Sequence, residues 1–158
     1  MKTRESGMPD ESMWTDFFDA EAVLRKLGLT SSCGDVVDFG CGDGSLLLTA
    51  VKKFGAAKGI GYEIHPGIRW IGLLRARIAG VSDKIDLQGG NFFKVELPKA
   101  DVVATYLFPE TQAKLEPLLK KYYPSGTRVV SRTFRYPSLL LIKTSEAHGE
   151  KLYLYKLP

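Results

Sequence analysis

The sequence predicts an α/β protein, with a mostly parallel sheet, helices on both faces and antiparallel pairing at the C-terminal end. Three features of the 158 residues predict it. From Asp35 onward, short apolar runs alternate with stretches of helical period, the pattern of a parallel sheet covered by helices. The first run passes straight into Gly40-Cys41-Gly42-Asp43-Gly44, a glycine-rich turn that opens a helix. The last two runs, joined around Glu146 to Glu150, are close enough to form an antiparallel hairpin.

The elements follow in order. Residues 1–34 are expected to form a helical cap and residues 35–158 the core of a single domain. Within the cap, Asp19 suits the N-cap of a short helix from Ala20 to Leu27, with Gly28 as its stop. Val36-Val37-Asp38-Phe39 is the first strand. The helix after the glycine turn carries Leu46, Leu47, Ala50, Val51 and Phe54 on one stripe and ends at Gly55. Gly59 to Glu63 is the second strand. A second helix runs from Pro66 to Ala79, with Ile71, Leu74 and Ile78 expected to face inward. Lys84 to Leu87 is the third strand and Asp101 to Tyr106 the fourth. Glu110 to Tyr123 has helical period, with a break expected at Pro117 because proline lacks the amide proton. Thr127 to Phe134, Ser138 to Thr144 and Lys151 to Leu157 are the last three strands. Only Arg135 to Pro137 separate the fifth and sixth, and a parallel crossover needs a dozen or more residues. The sixth strand therefore turns back antiparallel, or the fifth ends earlier than its apolar run.

Composition narrows the classes. Apolar residues make up 44% and charged residues 25%, which excludes a disordered chain. No apolar run approaches the roughly 18 residues of a membrane span. The N-terminal residues mix charges and lack an apolar signal core, so a cytoplasmic protein is expected. Cys33, Cys41, His65 and His148 fit no zinc spacing, so no metal is expected. Residues 1–79 are neutral and residues 80–158 carry a surplus of four positive charges. That surplus attracts acidic partners mildly, but it is too small and scattered for a nucleic-acid footprint.

The chemistry concentrates at the C-terminal ends of the strands, where open α/β sheets bind ligands. A dinucleotide fingerprint, G-x-G-x-x-G, would require Gly or Ala at position 45, and Ser45 stands there. The spacing present, D-x-G-x-G-x-G, is the one used for S-adenosylmethionine. Gly40, Cys41, Gly42 and Gly44 would cradle its amino-acid end, and Asp38 would face its amino group. Glu63 closes the second strand, where a carboxylate accepts both ribose hydroxyls. Ile64 follows it. Asn91 and Phe92 follow the third strand, where an amide reads the adenine edge. Thr105, near the end of the fourth strand, is expected to reach the cofactor too, as are Ile64 and Phe92. Phe17, with Trp14 and Phe18 nearby, would lie over the sulfonium, since an aromatic face attracts a cation. Helix packing is the competing role, above all for Phe18.

From about residue 35 to 130 the chain resembles the class I, seven-stranded S-adenosylmethionine-dependent methyltransferases, whose sheet is Rossmann-like. It resembles more closely the small archaeal protein-lysine methyltransferases and their mitochondrial relatives. Asp38 to Gly44, Gly90-Asn91-Phe92-Phe93, Pro124 to Ser131 and the tail Leu152-Tyr153-Leu154-Tyr155 carry the likeness. The segment Trp14 to Phe18 and the run Tyr106-Leu107-Phe108-Pro109 depart from the group. The resemblance implies methyl transfer from S-adenosylmethionine to a protein substrate with an accessible lysine.

The residues themselves bear on the acceptor. No Pro-Pro-Tyr motif follows the fourth strand, which argues against planar amide or base nitrogens. Thr105-Tyr106-Leu107-Phe108 gives an uncharged aromatic exit that suits an aliphatic amine. Tyr106 is the candidate wall of an amine channel; packing of the sheet edge is its competing role. At neutral pH, deprotonating a free lysine costs roughly 4 kcal/mol, and an apolar channel beside a sulfonium lowers that cost. Arg132, Arg135 and Lys143 could contact an acidic protein or RNA, with plain solvated charge as the favoured reading. An RNA or small-molecule methyltransferase and a non-catalytic S-adenosylmethionine-binding module remain the alternative readings.

Overall fold

The computed structural model describes residues 34–147 and 149–158. Residues 1–33, which include the expected helix from Ala20 to Leu27 and Trp14, Phe17 and Phe18, lie outside the described residues. Seven strands form one sheet: β1 (Asp35–Phe39), β2 (Lys58–Tyr62), β3 (Ile85–Gln88), β4 (Val102–Thr105), β5 (Arg128–Arg132), β6 (Leu140–Ala147) and β7 (Glu150–Lys156). Three α-helices are described, α1 (Ser45–Lys53), α2 (Pro66–Ile78) and α3 (Pro109–Tyr122), with a 3-10 turn at Phe92–Lys94. The strand order is β3-β2-β1-β4-β5-β7-β6. The first five strands pair in parallel, and β7 is antiparallel to both β5 and β6. The strand order reverses between β1 and β4, so the ligand crevice is expected beyond their C-terminal ends.

Strand alternation distributes the core over both faces. Val36, Val102 and Val130 pack on one face with Leu47, Ala50 and Val51 of α1 and Ala76 of α2. Val37, Phe39, Val103 and Val129 pack on the other with Leu115 and Leu119 of α3. The two residue sets alternate along the same strands, so each half-turn of the pleat feeds a different layer.

The end of the sheet resolves the choice left by the short link after β5. β5 ends at Arg132, before the apolar run does, and β6 does not pair with it. Residues 133–139 cross back over the sheet with Tyr136 buried, its N–H donating to Tyr155 Oη at 3.0 Å. β6 then runs in the same sense as β5, and β7 returns between them. No helical crossover is needed because the two strands are not neighbours.

Two helix expectations are corrected. α3 continues through Pro117. Pro117 and Ala113, whose carbonyl loses its donor, are both exposed, so the freed carbonyl lies on the solvent face, while Leu115 and Leu119 pin the helix on either side. In α2 the bulky residues face outward: Ile71 is 49% exposed and Ile78 79%, while Gly72 and Ala76 are buried. The cause is close approach. A Cβ at Gly72 would meet Leu87 Cδ1 at 2.6 Å and the Asp43 carbonyl oxygen at 2.7 Å. The helix lies on the sheet through its small residues.

Candidate active site

The glycine turn is built on backbone conformations that side chains resist. Gly40, Gly42 and Gly44 have φ of 80°, 58° and 76°, all left-handed. The N–H groups of Gly40 and Cys41 both donate to the Tyr62 carbonyl at 3.0 Å, which ties the turn to the end of β2. Asp43 accepts from Ser45 N at 3.1 Å and Ser45 Oγ at 2.5 Å, and pairs with Arg75 of α2. Nothing lies within 4 Å of a Cβ built on Gly42, so space opens on that side of the turn.

Glu63, the residue after β2, reaches back to this turn. Its Oε2 accepts from Gly42 N at 3.2 Å and its Oε1 from His65 N at 3.2 Å. His65 is the N-cap of α2, its Nδ1 accepting from Ile68 N at 3.2 Å. Ile64 between them is 72% exposed. Asp38 is buried at the end of β1. Burial pushes its carboxyl up to about 7; Arg132 opposes the shift, and Glu63 and Asp43 add to it. A cation placed against Asp38 would restore its charge.

The remaining sequence candidates divide. Cys41 is 7% exposed and points beneath the turn: a Cβ on Gly61 would meet its Sγ at 2.6 Å. Burial raises its thiol well above the ordinary range, which suits packing rather than nucleophilic attack. Asn91 Oδ1 accepts from Phe93 N at 2.9 Å and so caps the 3-10 turn at the end of β3, with the residue exposed. The Phe92 ring is buried against Phe39 at 4.9 Å and Tyr62 at 6.3 Å. Thr105 is turned into the interior. Its Oγ1 lies 3.3 Å from Gln112 Oε1 and accepts from Tyr136 Oη at 3.1 Å. Phe17 lies outside the described residues. The structure thus gathers Asp38, the glycines, Glu63 and Ile64 at the C-terminal edge of β1 and β2, where the crevice is expected, with Asn91 beyond β3, and gives Phe92, Thr105 and the Cys41 thiol to the interior.

Tyr106 follows β4, its carbonyl oxygen 3.5 Å from a Cβ built on Gly40, and is 50% exposed. Phe108, 73% exposed, lies 6.4 Å from the Phe134 ring. Arg132, Phe134 and Glu150 complete this side. In the sequence Phe134 marks only the end of a strand, and Glu150 only part of a hairpin link. Gln112, which ties α3 to the Phe134 carbonyl at 3.1 Å, gave no signal at all beyond an unexpected polar residue in a helix that needed a buried face.

The geometry fits S-adenosylmethionine. Three left-handed glycines make a cradle open above Gly42, a carboxyl is buried at Asp38, and a carboxylate stands after β2. A seven-stranded sheet of this order, with that cradle at its switch point, defines a class I S-adenosylmethionine-dependent methyltransferase. Comparison with known proteins places the chain within that class. Residues 38–142 match the ANTKMT methyltransferase domain, and the chain belongs to that family. It is 38% identical over 116 residues to a protein-lysine N-methyltransferase of Saccharolobus islandicus, covering 72% of each chain. It is 34% identical to the adenine nucleotide translocase lysine N-methyltransferase of Mus musculus, covering 66% of this chain but 45% of that one. The chain therefore spans under half of the mouse relative. A solved structure of an RNA methyltransferase from Salinibacter ruber, in complex with S-adenosyl-L-homocysteine, superposes with a TM-score of 0.82. It is 26% identical, with 100% of this chain and 94% of that one covered. The protein is an S-adenosylmethionine-dependent methyltransferase.

Proposed function

We propose that the chain methylates lysine side-chain amines of proteins, with Tyr106 in the wall of the acceptor site. The observation that carries this is the 38% identity to a protein-lysine N-methyltransferase along 72% of both chains. The acceptor side agrees with it chemically. Tyr106, Phe108 and Phe134 offer aromatic surface, and the carboxylate present there, Glu150, is paired with Arg132. Aromatic faces accept an alkyl amine's methylene chain and attract its cationic form during approach.

The donor supplies an electrophilic methyl group on a sulfonium. Asp38 would hold the donor's amino group, the glycine cradle its amino-acid backbone and Glu63 its ribose hydroxyls. The amine must arrive neutral and in line with the methyl group. Partial desolvation beside a positive charge favours the neutral amine, and alignment supplies much of the rate. No general base is assigned.

An RNA acceptor is the second reading, favoured by the RNA methyltransferase that superposes along the whole chain. One experiment separates them. Labelled S-adenosylmethionine is supplied with cell extract, and the product is digested by protease or by nuclease. Label released by protease and recovered as methyl-lysine is expected; label released by nuclease alone would replace the lysine reading with the RNA one.

A further inference from the structure

Tyr106 is held more tightly than a half-exposed residue after a strand needs to be. Its hydroxyl donates to Glu150 Oε1 at 3.4 Å. The Arg132 guanidinium lies over its ring, 4.9 Å from the centroid. Arg132 Nε and Nη2 both lie 2.6 Å from Glu150 Oε2. The face and the hydroxyl of one tyrosine are thus gripped by two residues that grip each other. They come from three chain segments: the exit of β4, the end of β5 and the start of β7.

The turn after Arg132 gives a second, independent observation. Thr133 has φ 70°, and Phe134 N donates to the Arg132 carbonyl at 2.8 Å. This is a three-residue turn in its strained form, at a β-branched residue that resists positive φ. Its surroundings enforce it. Thr133 N donates to the Lys151 carbonyl at 2.8 Å. The Phe134 carbonyl accepts from Ser131 Oγ at 2.5 Å and from Gln112 Nε2 at 3.1 Å. Such strain persists where the structure over-determines it, and it gathers at functional sites. Here it turns the chain abruptly at Arg132, leaving the guanidinium over Tyr106 and the Phe134 ring beside Phe108.

We propose that Arg132 and Glu150 are positioning residues that fix Tyr106 at the methyl-acceptor edge, and that the strained turn at Thr133 holds Arg132 in place. The proposal rests on the reading of Tyr106 as acceptor wall, whatever the acceptor. The physical gain is preorganisation. A tyrosine free to change rotamer would have to be ordered each time an acceptor bound, and a fixed one would not. Arginine is needed because its planar group stacks on a ring while its N–H fork meets a carboxylate; lysine offers a point charge. The Arg132 and Glu150 side chains are about a quarter and a third exposed, 26% and 33%, so the pair matters for geometry more than for folding.

A double-mutant cycle tests this, read as the initial rate of label transfer from saturating S-adenosylmethionine to extract protein, or to whichever extract fraction carries label. Arg132→Lys keeps the charge that faces Asp38 and removes the stacking. It is expected to lower the rate about tenfold while donor affinity, by calorimetry, stays within twofold. Glu150→Gln, the second variant should Arg132→Lys melt early, is expected to do the same. In a Tyr106→Ala background each is expected to cost less than a further twofold. Equal losses in both backgrounds, or a donor affinity that falls with the rate, would overturn the proposal. An unchanged rate in Tyr106→Ala alone would overturn the acceptor-wall reading and this proposal with it. Label on RNA rather than lysine would overturn the substrate reading and leave the cycle to be scored on RNA.

Discussion

The two sides of the crevice are built by different means. The donor side is local: Asp38, the three glycines and Glu63 fall within one β-α-β segment, and backbone N–H groups fix the turn to β2. The acceptor side is assembled from afar: Tyr106, Gln112, Arg132 and Glu150 come from four elements or their ends, joined by side chains. A backbone-built site demands particular conformations and so leaves glycines as a record. A side-chain-built site demands only that separate residues meet, and any of them looks ordinary alone.

If the division is real, substitutions on one side should spare the function of the other. The largest effect is expected for Gly42→Val. A β-branched residue at φ 58° costs roughly 1–2 kcal/mol in the folded state, and its side chain fills the open side of the turn. The strain lowers stability, while the side chain itself takes the donor's space, and calorimetry should show at least about a hundredfold loss of donor affinity. Glu63→Ala follows, with donor binding weaker by about 2 kcal/mol, the scale of hydrogen bonds to a charged group. Melting curves should accompany it, because the change also frees the Gly42 and His65 amides.

The next effect is set by pH. Asp38 is raised to about 7, so at lower pH its carboxyl is protonated and meets the donor's amino group without charge. Donor affinity should fall by up to about tenfold per unit below pH 7 and level off above it. The linked stability runs the other way. The folded state holds a proton on Asp38 that the unfolded chain, with a carboxyl near 3.8, has lost. The donor-free protein should therefore lose this contribution as pH rises from about 4 through 7, as urea titrations at several pH values would read. An affinity flat from pH 6 to 8 would remove Asp38 from the donor site. The smallest effect is expected for Gln112→Leu. The Phe134 carbonyl keeps Ser131 and Thr105 keeps the Val130 carbonyl, so stability should fall by only about 1 kcal/mol. Transfer should fall while donor affinity holds, which would sharpen the contrast; equal losses in both would blur it.

How much the sequence disclosed follows the same division. The α/β layering, the parallel strands and the donor turn were legible, since period, glycine spacing and one acid after a strand are all local marks. The face of α2 is not legible locally because two residue sets share the helical period; the close approach that selects Gly72 and Ala76 is a tertiary fact. The continuity of α3 through Pro117 depends on Ala113 facing water, which no local pattern states. Phe92 and Thr105 stand at the right places in the chain for a ligand, yet the pleat and the Gln112 network turn them inward. Arg132 and Glu150 are 18 residues apart and meet through β7 pairing beside β5.

The separation of the two sides is tested most directly by measuring donor affinity and transfer rate on one variant, Tyr106→Ala. S-adenosylmethionine affinity by calorimetry should remain within twofold of the unaltered protein, while methyl transfer to extract protein falls by at least about tenfold, the pattern of a group acting on the acceptor alone. A donor affinity that falls in step with the rate would contradict the account, because Tyr106 would then belong to the donor's half of the crevice.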